Sequence, residues 1–138
     1  MRRSAGGPTV RYMTTSDGGG LDLAVRRVYE EPAEDDGARV LVDRLWPRGV
    51  SKERARLDAW PKELAPSDDL RRWMHEDPDG RYDEFARRYR RELEADAAAS
   101  ALADVRDLAG HGPVALLTAA KDVEHSHVPV LLSALREA

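Results

Sequence analysis

Two short apolar runs, Val40-Leu41-Val42 and Val114-Ala115-Leu116-Leu117, constrain this chain more than any other feature. A strand with one wet face alternates apolar and polar residues. A run that is apolar throughout is buried on both faces, as in parallel strands covered by helices. The two runs are therefore expected to be adjacent or next-neighbour parallel strands, the second of them central. A third segment, residues 21–29, alternates: Leu21, Leu23, Val25 and Arg27 fall on one side, Asp22, Ala24, Arg26 and Val28 on the other. It is read as a first strand.

Between the second and third strands the pattern turns helical. Ser51 caps a short helix, and Ser67, followed by Asp68 and Asp69, caps another through Leu70 and Trp73. Asp77-Pro78 supplies a cap and a first-turn proline. The helix it opens places Tyr82, Phe85, Ala86, Tyr89 and Leu93 on one face. A further helix over about 97–109 turns Leu102, Val105 and Leu108 inward and stops at Gly110 and Gly112-Pro113. Ser126 caps a last helix that buries Val128, Leu131, Leu132 and Leu135. Strands separated by helices give an α/β fold. The expectation is a small, mostly parallel sheet of about three to four strands, covered by helices, in a single domain over residues 21–138. Residues 1–20, polar and ending in Gly18-Gly19-Gly20, are expected to be a flexible tail.

With 138 residues, one domain is the natural size. The absence of cysteine rules out disulfides, thiolate nucleophiles and Cys-ligated metals. No run approaches a membrane span and no signal peptide is visible, so a cytoplasmic protein away from membranes is expected. A net charge of −4 argues against nucleic acid as a partner. The run Arg87-Arg88-Tyr89-Arg90-Arg91 fits a solvated helix face, because Glu84, Glu92 and Glu94 stand four residues from Arg88 or Arg90. Motifs for dinucleotide binding, P-loops, zincins and α/β-hydrolases are missing from the sequence.

Ligands of parallel sheets bind beyond the carboxyl ends of strands. Two loops leave such ends: one carries Asp43, Arg44, Trp46 and Arg48, the other Lys121, Asp122, His125 and His127. Arg44, Arg48 and Lys121 suit an anion, phosphate- or nucleotide-like, with Trp46 and His127 as further ligand contacts. His125 is the candidate proton carrier, with Asp43 or Asp122 orienting it, in hydrolase or transferase chemistry. Each has a structural alternative: an Asp43–Arg44 ion pair, Arg48 on loop carbonyls, Trp46 in the core, Lys121 and Asp122 in a solvated turn. His125-x-His127 lacks a third partner, so no metal is assigned, and no cofactor follows from the sequence. A non-catalytic binding or interaction module is the competing reading.

The same segments resemble the YeaO-like family, bacterial domains of unknown function. The resemblance covers most of residues 24–137. It runs through Arg26-Arg27-Val28-Tyr29, Val42-Asp43-Arg44-Leu45-Trp46-Pro47-Arg48-Gly49, Leu64-Ala65-Pro66-Ser67, Leu70-Arg71-Arg72-Trp73, Phe85-Ala86-Arg87-Arg88-Tyr89 and Ala119-Ala120-Lys121-Asp122 with His125. Thr118 stands where the family often has an aromatic residue. The resemblance implies one shared site and no particular reaction.

Overall fold

The computed structural model describes the backbone of residues 10–13 and residues 21–137 in full. Among the described residues the sheet has four strands: β1 (Val10–Met13), β2 (Asp22–Arg27), β3 (Ala38–Leu41) and β4 (Val114–Thr118). Their order is β1-β2-β4-β3. β4 runs parallel to both neighbours, and β1 pairs antiparallel with β2. The two apolar runs are thus adjacent parallel strands, Val40 opposite Leu116 and Leu41 opposite Leu117. The expected tail is corrected over residues 10–13, where Val10 pairs with Val25. Val, Tyr and Met suit a strand, and pairing covers the otherwise open edge of β2. The rest of that tail, residues 1–9 and 14–20, lies outside the described residues.

Among the described residues five α-helices accompany the sheet: α1 (Lys52–Ala55), α2 (Asp68–His75), α3 (Pro78–Glu92), α4 (Asp96–His111) and α5 (Val128–Arg136). The expected caps form. Ser51, Ser67 and Asp77 accept from the backbone N–H of Arg54, Leu70 and Gly80 at 3.0, 3.2 and 3.2 Å, each worth about 1 kcal/mol. The last cap is displaced by one residue: His127 holds the cap position, while the Ser126 hydroxyl accepts from Val128 N at 3.1 Å. Glu92 accepts from both Ser67 N and Ser67 Oγ, at 2.8 and 2.7 Å, and so fastens the start of α2 to the end of α3. Arg88 turns instead to Glu84, and Arg90 reaches across to Ser133 at 3.1 Å. Tertiary partners thus replace two of the intrahelical pairs that spacing suggested.

β-Strand alternation divides the core in two. Leu23, Val25, Val40, Val42, Val114 and Leu116 face one side and pack with the apolar residues of α2 to α5. Val28, Leu41, Ala115 and Leu117 join Val50, Ala55, Trp46 and Trp60 on the other. Both faces of β3 and β4 are dry, as their composition demands. Gly37 sits where the starts of β3 and β4 converge: its φ is +68°, and a Cβ there would lie 2.0 Å from the Pro113 carbonyl oxygen. α4 departs from expectation. It runs through Gly110 to His111, and Leu108 is exposed, while Ala98, Ala101, Leu102, Val105 and Ala109 form the buried stripe. Alanines mark this face, so a reading weighted towards large residues misplaces its edge.

This arrangement predicts opposite outcomes for two leucines. Leu116→Ala should cost about 2–5 kcal/mol of unfolding free energy, the range for a filled core site. Leu108→Ala should stay within about 0.5 kcal/mol, as exposed changes do. Urea denaturation measures both. Equal costs would mean that the α4 face is assigned wrongly.

Candidate functional site

Because β3 and β4 are adjacent and parallel, their carboxyl ends open side by side. Val42 N donates to Leu117 O at 3.0 Å, extending the ladder one residue beyond β3. The next residue, Asp43, therefore meets the end of β4. Its carboxylate accepts from the Thr118 hydroxyl at 2.7 Å and from Ala119 N at 2.8 Å. Its own carbonyl accepts from the Trp60 indole at 2.7 Å. Thr118, which sequence reasoning placed at the end of the third strand without a role in the site, is the fully buried anchor of this junction.

His127 arrives from the start of α5. Its Nε2 lies 2.9 Å from the Val42 carbonyl and 3.4 Å from Asp43 Oδ1. A carbonyl only accepts, so Nε2 carries the proton and donates. The side chain is 12% exposed. Burial pushes its pKa below the ordinary value, against the opposing pull of Asp43. The imidazole is consequently held neutral, wedged against the Tyr89 ring at 6.0 Å between centroids.

The remaining loop residues divide into spent and unspent groups. Arg44 donates through Nε to Pro66 O at 3.0 Å and through Nη2 to Ala65 O at 3.2 Å. It is not paired with Asp43; it straps its loop to the approach of α2. Trp46 donates to Val50 O at 2.6 Å and meets Trp60 edge-on at 5.3 Å, so its ring is part of the second core layer. Residues 47–50 make a turn in which Val50 N donates to Pro47 O at 3.4 Å and Gly49 has φ +80°. A positive φ at that position is what glycine provides. The turn holds Arg48 out, exposed and with no hydrogen-bond or ion-pair partner among the described residues.

Lys121 is likewise exposed and unpaired among the described residues. Asp122 Oδ2 and His125 Nδ1 stand 2.8 Å apart, with His125 61% exposed. The hydrogen bond that the His125 imidazole donates to Asp122 raises the imidazole pKa, and the same bond lowers that of the carboxyl. Of the three catalytic candidates, His125 pairs with Asp122 and not with Asp43. The two loops form two separate pairs, one at the rim (Asp122–His125) and one more enclosed (Asp43–His127).

All eight sequence-derived site residues line one cavity of about 690 Å³. Sequence reasoning missed Arg71, which also lines it. Arg71 reaches Asp68 through Nη2 at 3.3 Å, but its Nε is buried with no acceptor. Its only signal was its place in the Leu70–Trp73 motif. His75 and Asp79 line the same cavity. Among the described residues no group of three or more His, Cys, Asp or Glu could hold a metal ion, and no helix is long and apolar enough to cross a membrane.

Fold and site together define a small α/β domain with a cation-rimmed cavity at the ends of its parallel strands. The chain belongs to the YeaO-like family: residues 22–138 match the family model described as "Inactive DUF488-N3 subclade". It is 49% identical over 113 residues to the uncharacterized protein Rv3073c of Mycobacterium tuberculosis, covering 82% of this chain and 92% of that one. It is 38% identical over 117 residues to the uncharacterized protein YeaO of Escherichia coli, covering 84% and 98%. No solved structure matches it significantly.

The buried histidine makes a pH prediction. Its folded pKa lies below the unfolded value of 6.5, so the unfolded chain binds the proton more readily. The contribution of His127 is complete above that value and falls as the medium becomes more acidic. Thermal melts between about pH 7.5 and about pH 5 should show His127→Gln losing less stability on acidification than the parent protein. Superimposable pH profiles would remove His127 as the acid-sensitive group.

Proposed function

We propose that this protein is a non-catalytic binding domain whose ligand is a small anion held at the carboxyl ends of β3 and β4. Arg48, Lys121 and Arg71 recognise it. The observation that carries this reading is the contrast between groups in one cavity. Asp43 is occupied with His127 and backbone, and Asp122 with His125, whereas Arg48 and Lys121 have no partner among the described residues and Arg71 Nε is buried without an acceptor. Unspent guanidinium and ammonium donors are what a phosphate or carboxylate requires. The word "inactive" in the description of the matching family model supports binding over turnover.

One observation favours hydrolase or transferase chemistry at the same site. The Asp122–His125 pair has the geometry of an oriented base and lines the same cavity.

The test is a titration with inorganic phosphate followed by amide chemical shifts. Shifts should concentrate at residues 47–49, 71 and 121. Each charge-assisted hydrogen bond is worth about 1.5–3 kcal/mol, so Arg48→Ala and Lys121→Ala should each weaken binding about ten-fold or more without changing the fold. A ligand recovered chemically unchanged after prolonged incubation agrees with the binding reading. Turnover lost on His125→Gln would establish the enzymatic one. Absence of any shift around Arg48 with inorganic phosphate or an organic phosphate would defeat the anion-binding reading.

A further inference from the structure

We infer that the ligand is an organic anion with a substantial apolar body, so that the cavity recognises an amphipathic molecule and not an inorganic oxyanion. The inference rests on the anion-binding reading above and narrows it to a chemical class: an aryl or bulky alkyl phosphate or carboxylate.

The size of the cavity points this way first. At about 690 Å³, it lies within the range of pockets that enclose whole organic ligands and is far larger than a phosphate requires. The walls point the same way. Leu45 is 60% exposed, the most exposed of the large apolar side chains that stand in water, and it lines the cavity. Tyr29 and Leu108, the other two, do not line it. Leu45 belongs to neither core layer. A lone exposed leucine means little on an ordinary surface. This one is set between Arg44 and Trp46, three residues before the unpaired Arg48, in a cavity further lined by Met74, Pro47 and Pro66. An apolar wall beside unspent cations matches a ligand with a charged head and an apolar body. The two tryptophans of this region do not supply a stacking platform, because each indole donates to a backbone carbonyl and they pack on one another. Phe85, which also lines the cavity, is fully buried, so the exposed apolar contact is Leu45, a non-directional contact that selects mainly by size and hydrophobicity.

The experiment compares inorganic phosphate, phenyl phosphate and 1-naphthyl phosphate on the full chain, read by chemical shifts of the leucine methyls and of the backbone amides. Affinity should rise along the series, about ten-fold or more from phosphate to naphthyl phosphate. The Leu45 methyls should shift with the aryl phosphates only. Leu45→Asn, at an exposed position, should keep the affinity for inorganic phosphate and cut the naphthyl preference about three-fold or more. Equal affinities for all three, with Arg48 still responding, would overturn the amphipathic ligand and leave the anion site standing. Tighter binding of the aryl compounds that survives Arg48→Ala and Lys121→Ala unchanged would show a hydrophobic cleft without an anion site and overturn both. No shift with any of the three would likewise overturn both.

Discussion

The Asp43 carboxylate is the constraint on which the site depends. Two hydrogen bonds, 2.7 Å from the Thr118 hydroxyl and 2.8 Å from Ala119 N, join the loop after β3 to the loop after β4. His127 Nε2 at 3.4 Å brings in the start of α5. A carboxylate shielded from water must be paired, and charge-assisted bonds of this length repay part of its lost hydration. The register of β3 against β4 makes the junction possible. With Leu41 opposite Leu117, Asp43 falls beside Thr118 and Ala119; a slip of one residue would turn it to the other face. Every cavity residue on the two loops is placed relative to this tie.

A second ionic cluster does for the far face of the sheet what Asp43 does for the strand ends. Arg26 on β2 grips both oxygens of Asp36 at 2.9 Å, and Arg39 on β3 donates to the same carboxylate. Arg39 Nε also donates to Ala55 O at 2.8 Å, which holds α1 against the sheet. All three side chains are buried. Such clusters gain little over apolar packing, but removing one member leaves an unpaired buried charge at a cost of about 3–5 kcal/mol. β4 lies between β2 and β3, so Asp36 fixes the flanking strands around the central one.

What the sequence revealed follows from the range of each interaction. Strands and caps depend on near neighbours, so the apolar runs, Ser51, Ser67 and Asp77 were legible. The sheet's parallel sense followed from dryness on both faces. Four misreadings share one cause, a partner distant in sequence. Glu92 abandons Arg88 for Ser67, 25 residues away. Arg44 spends its donors on Ala65 and Pro66 instead of Asp43. β1 is made a strand by the open edge of β2, and His127 meets Asp43, 84 positions earlier, while His125 keeps one of its two expected partners, Asp122. The eight candidate residues do converge on one cavity, since topology alone brings the two loops together. Their individual roles were beyond reach, because a role depends on which donors remain free, and no spacing rule counts those.

That count is what separates recognition from catalysis here. A general base needs a proton acceptor turned towards substrate and a partner that orients it. In the Asp43–His127 pair the partner is saturated and the imidazole is wedged between backbone and Tyr89, so the pair maintains structure. In Asp122–His125 the orientation is present, but the pair lies on an exposed rim, where water screens the charge that a reaction would have to stabilise. The cations lie under the opposite condition. Arg48 is held out on a glycine turn, and Arg71, another residue lining the cavity, has its Nε buried without an acceptor. On the reading proposed above, the unpaired cations and the exposed Leu45 suit the holding of an amphipathic anion, whereas turnover would require differential stabilisation of a transition state.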